Sequence, residues 1–79
     1  MKESAKYLKI VEWSEDDQVF IGQCPGVIGQ CCHGESEIEV YKELCAIVDE
    51  WLEIAKNEKR VLPPPTIGKG IAKQILSFA

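Results

Sequence analysis

Cys24, Cys31, Cys32 and His33 lie close together in the chain and are the residue types that bind zinc, act as nucleophiles or sense oxidants. Their spacing argues against each use. Structural zinc sites commonly draw ligands from C-x-x-C pairs, and the chain has none. Cys31 and Cys32 are neighbours, so on an extended strand they are expected to point to opposite faces and miss a shared tetrahedral metal. Cys32 and His33 point apart for the same reason. Cys31 and His33 share a face but stand about 7 Å apart along one strand, with no third group to orient the imidazole. Small, reduced, buried thiols are the plainer reading.

The acids offer a second chemistry, metal-assisted hydrolysis by paired carboxylates. Glu15, Asp16 and Asp17, however, fall together in a turn. Glu35, Glu37 and Glu39 stand at a helix start, where capping and the helix dipole account for them. Trp13 and Trp51 read as core aromatics rather than a stacking platform. Gly22, Gly26, Gly29 and Gly34 match no phosphate-binding loop. The residues therefore imply no enzyme, no cofactor and no bound metal.

The elements that position these groups follow from pattern. Residues 1–5 are polar and expected to fray. Residues 7–13 and 18–24 are β-rich, and the polar Ser14-Glu15-Asp16-Asp17 between them suits a hairpin. Pairing Trp13 with Gln18 would put Val11 opposite Phe20 and Ile10 opposite Ile21. One face then carries Leu8, Ile10, Val19 and Ile21, and the other Tyr7, Val11, Trp13, Phe20 and Cys24. Neither is the clean polar face of a sheet half in water. One can take a helix, and the other needs a second cover. A Pro25-Gly26 turn leads into a third strand over 28–33.

Ser36 is a cap, with Glu39 as the other half of a capping box, for a helix over 37–57. Tyr41, Leu44, Cys45, Val48, Trp51, Leu52 and Ala55 mark its buried face, widened by Ile38, Ile47 and Ile54. Pro63-Pro64-Pro65 ends it. Ile67, Ile71 and Ile75 then recur every four residues, the stripe of a short apolar tail. The division expected is a domain over 1–66 and a tail over 67–79, in an α+β fold ordered β-β-β-α with a short C-terminal strand or helix.

The chain has 79 residues and a net charge of −4, from 13 acidic against 9 basic residues. One core of this size is only just sufficient, which favours an oligomer, dimer or tetramer. Tyr7, Val11, Trp13 and Phe20, with Ile71 and Ile75, are the expected oligomer contacts. Acidity argues against direct DNA binding through a basic patch and for a basic protein partner. No apolar run is long enough to span a bilayer and the N-terminus has no signal-peptide core, so a cytoplasmic protein with reduced thiols is expected.

The order of features resembles the HicB antitoxin family. Tyr7 leads to Val11-Glu12-Trp13, an acidic turn follows, and the next strand ends in Cys24-Pro25-Gly26. Then come His33-Gly34, the helix with Asp49-Glu50-Trp51-Leu52-Glu53, and Leu62-Pro63-Pro64, so that the resemblance covers residues 7–66. Pro25 to Gly29 fits the family's Pro-x-x-x-Gly segment, and Gly34-Glu35-Ser36 its Gly-Asp-Thr-like cap. Val40-Tyr41 departs from the small residues usual at the helix start. The resemblance implies a degraded ribonuclease-H-like core without active carboxylates. It also implies a partner, a HicA-type toxin, a small basic mRNA interferase neutralised by covering its active surface. Glu15, Asp16, Asp17, Glu35 and Glu37 are the expected contacts. Many members bind their operator through a C-terminal DNA-binding segment; residues 67–79 are too short for one. A solitary member, regulatory or sensing metals or thiols, is the alternative.

Overall fold

The computed structural model describes residues 3–62. The expectations for 63–79, including Ile71 and Ile75 and a terminal strand or helix, lie outside the described residues. Three antiparallel strands, β1 (Ile10–Ser14), β2 (Val19–Cys24) and β3 (Ile28–Gly34), form a sheet in the order β1-β2-β3, and one helix, α1 (Glu37–Asn57), crosses it. The α+β expectation holds, and so does the helix span.

The hairpin register differs from the one expected. Trp13 pairs with Phe20 and Val11 with Gly22, so the loop is 15–18 rather than 14–17. Gln18 closes it at φ 56°, in the left-handed region, while its backbone N donates to Ser14 O at 2.8 Å. A slip of two residues preserves which side chains share a face, because the pleat repeats every two. The second turn is as expected. Gly26 sits at φ 88° and Val27 N donates to Cys24 O at 3.0 Å, the type II geometry that Pro-Gly favours.

The face carrying Val11, Phe20, Cys24 and Cys32 packs on α1, where Val40, Leu44, Val48 and Leu52 complete the core. Three of the expected oligomer contacts, Tyr7, Val11 and Phe20, pack against this core. Tyr7 is buried and the other two are partly buried within this chain's own core, while Trp13 stays 46 % exposed and meets Phe20 edge to face at 5.1 Å. Gly22 sets how close the helix comes, since a Cβ there would lie 2.8 Å from Cys32 Sγ and 3.2 Å from Val40 Cγ1.

Two further corrections concern the helix and the N-terminus. The buried stripe of α1 starts at Val40 and runs through Leu44, Val48, Leu52 and Ala55. Ile38, Tyr41 and Ile54 are exposed rather than extending it. Ser36 Oγ accepts from Glu39 N at 3.3 Å, as a cap should, while the Glu39 carboxylate lies 3.8 Å from Lys42 Nζ. Of residues 1–5, expected to fray, those from Glu3 on lie in a 3-10 turn, Glu3–Lys6, with Ser4 buried. An ion pair of 2.6 Å between Glu3 and Lys56 ties it to the last turns of α1. Tyr7 follows this turn instead of lying in β1.

Candidate binding surface

Strand register brings the acids singled out in the sequence to one end of the molecule. Trp13, Phe20 and Gly34 form one row across the sheet. The turn with Glu15, Asp16 and Asp17 lies just beyond Trp13, and Glu35 and Glu37 follow just beyond Gly34. All five are exposed. Two also build the turn itself. Trp13 Nε1 donates to Glu15 Oε2 at 2.7 Å, and Ser14 Oγ donates to Asp17 Oδ2 at 3.2 Å. Asp17 N returns a bond to Ser14 Oγ at 3.3 Å, and Gln18 Nε2 donates to Glu15 O at 2.7 Å. Glu15 and Asp17 thus combine charge with a structural task. Asp16, Glu35 and Glu37 have no side-chain partner among the described residues and present charge alone.

A sequence signal for this pole was missed. No lysine or arginine occurs between Lys9 and Lys42, while Glu12, Glu15, Asp16, Asp17, Glu35, Glu37 and Glu39 all fall in that interval. The cations of the described chain sit mainly at the other end: Lys6 and Lys9 before β1, and Lys56, Lys59 and Arg60 at the end of α1. There they are partly offset, Lys56 by Glu3 and Arg60 by Glu58 at 2.6 Å. The Glu3 contact holds the Lys56 ammonium above its ordinary pKa. One end of the molecule is therefore predominantly acidic, with Lys42 beside Glu39 its nearest cation, and the other is mixed.

The sheet face turned away from α1 adjoins the acidic end. Ile10, Val19 and Ile21 lie on it half-buried, and Gln23 Nε2 crosses it to donate to Glu12 Oε1 at 3.3 Å. A groove of about 600 Å³, lined in part by Asp17, Val19, Ile21 and His33, runs along it. The described residues place no element over this face. It is an apolar strip with an acidic rim.

The four cysteines are free thiols. Burial pushes Cys24 up, and it pushes Cys32 up to about 11, with the Cys31 thiol adding to the effect. A group held so firmly in its thiol form is a poor nucleophile. Among the described residues no three of His, Cys, Asp and Glu are grouped to hold a metal ion. None of their helices is long and apolar enough to cross a membrane.

No family model, no curated protein and no solved structure matches the chain.

Proposed function

We propose that this chain is a stoichiometric binding protein of the antitoxin kind, which masks a small basic toxin of the HicA mRNA-interferase type. The observation that carries the reading is the gathering of Glu15, Asp16, Asp17, Glu35 and Glu37 at one end of the sheet, beside an apolar strip. A basic partner gains twice there. Long-range attraction orients its approach, and the strip of Val19 and Ile21 supplies apolar area once it docks. The β-β-β-α order agrees with the family resemblance, and the ribonuclease-H-like ancestry is part of the same proposal.

The open strip also favours a second copy of the chain as an occupant, which is the solitary, oligomeric reading. The two readings separate in native mass spectrometry of tagged protein from its own host. The antitoxin reading expects a small basic chain at fixed stoichiometry, whose RNA cleavage stops when this protein is added back. A bare homo-oligomer, or a partner whose activity is unaffected, would remove it.

A further inference from the structure

Large apolar side chains left in water are informative when they gather, and three of them gather on the α1 side of the acidic end. Ile38 is 68 % exposed, Tyr41 48 % and Trp13 46 %. Ile38 and Tyr41 stand three residues apart in the first turns of α1 and are neighbours on its surface. With Val11 of β1 they line a groove of about 450 Å³, whose wall Glu37 and Lys42 complete. Trp13 lies on the same face of β1 as Val11, about 7 Å further along the strand. Ile38 gains the helix nothing in propensity, since a β-branched residue is a weaker helix former than glutamate or lysine. Trp13 is also held in place in advance. Its Nε1 donates to Glu15 Oε2 at 2.7 Å, and its ring meets Phe20 edge to face. An exposed aromatic side chain already fixed in this way loses little freedom on binding, a property of interface anchors.

We infer that the shelf of Val11, Trp13, Ile38 and Tyr41 is the anchoring site for a basic protein segment that presents an arginine beside an aliphatic side chain. The aliphatic side chain fills the groove between Val11, Ile38 and Tyr41. The guanidinium lies on the indole face of Trp13, with the Glu15 carboxylate at the ring edge as its anionic partner. Charge selects this occupant. Glu15 and Glu37 flank the shelf, Asp16 and Asp17 share the turn with Glu15, and the groove's cation, Lys42, lies 3.8 Å from Glu39. A second copy of this chain would bring the same acids against them. The inference rests on the reading that a basic protein meets the acidic end, and it adds an anchor on the α1 side, away from the strip of Val19 and Ile21.

The test titrates the full chain, labelled with heavy nitrogen, with two peptides of equal charge, Arg-Leu-Arg-Leu-Arg and Arg-Ser-Arg-Ser-Arg, both acetylated and amidated. The reporter is the Trp13 indole N–H resonance, identified by its loss in Trp13→Phe. The leucine peptide should shift it saturably and bind about tenfold more tightly than the serine peptide. Ile38→Ser and Tyr41→Ser change exposed positions, so the urea midpoint should hold. Each should remove the preference for leucine and leave the weak binding of the serine peptide as it was. Equal affinity for the two peptides, a preference that survives Tyr41→Ser, or shifts centred on Val19 and Ile21 would overturn the shelf. A change of oligomer mass in Tyr41→Ser with the peptide preference intact would also overturn it, giving the shelf to a second copy. The peptides need no toxin, so the two readings fail separately: recovery of no basic chain in native mass spectrometry removes the antitoxin reading, and the peptide preference still decides the shelf.

Discussion

The two faces of the sheet are built from similar apolar residues and meet opposite fates. The face with Val11, Phe20, Gly22, Cys24 and Cys32 lies under α1, and its fit depends on a hydrogen atom at Gly22 where any other residue would place a carbon. The face with Ile10, Val19 and Ile21 has no large neighbour packed on it among the described residues, and the acids gather around one end of it. Hydrophobicity alone does not separate the two. What separates them is room for close approach, which glycine and cysteine give and isoleucine does not.

Substitutions on the two faces should therefore diverge, and the largest contrast compares Leu44 with Ile21. Leu44 is fully buried against the sheet, so Leu44→Ala should cost about 2–5 kcal/mol in urea unfolding. Ile21→Ala on the open face should cost about 1 kcal/mol or less, its burial being partial. Similar losses at both positions would mean that something covers the open face in the isolated chain.

The next effect is smaller and sharpens the role of Gly22. Gly22→Ala should destabilise by about 1–3 kcal/mol through overpacking. Adding Cys32→Ala, which removes the nearest obstructing atom, should restore part of it, so that the double variant loses less than the sum of the singles. Strict additivity would remove the close-packing account.

The smallest effect is seen with pH. The folded chain holds Cys32 near 11, against a usual 9.0, and raises Cys24 in the same direction. The unfolded chain therefore gives up these protons first. The contribution to stability is complete below about pH 9 and is lost as pH climbs toward 11. Urea midpoints should fall over that interval and fall less in Cys32→Ala. An equal fall in that variant would assign the alkaline loss to other groups.

Much of this was legible in the sequence, for definite reasons. The helix was readable because Ser36 caps it and apolar residues recur at helical spacing, and the strands because β-rich runs are separated by an acidic turn and by Pro25-Gly26. The hairpin register was not. Gln18 in the left-handed region closes the loop one residue later than composition suggests, and the pairing shifts by two. Parity kept the two faces correctly sorted, but pattern could not choose which one α1 covers. Gly22, central in the hairpin, was the available clue. The bulge in β3, where Gly29 to Cys31 lie opposite the single Gln23 of β2, was missed although Gly29, a glycine inside a strand pattern, is a recognised sign of one. The docking of Glu3–Lys6 rests on Glu3 meeting Lys56 at a long distance in sequence, which no local pattern reveals.

The central claim is that the acidic end of the sheet is the partner surface, and Asp16 tests it with least structural disturbance. Its side chain has no partner among the described residues, so Asp16→Lys should leave the urea midpoint nearly unchanged. The measurement is the affinity for any basic chain recovered with the tagged protein, taken across a series of salt concentrations for the native sequence and for Asp16→Lys. The account predicts weaker binding by the variant at low salt and a flatter dependence on salt, with the two curves converging at high salt. Coincident curves, with the fold intact, would contradict it and place the interface elsewhere on the molecule.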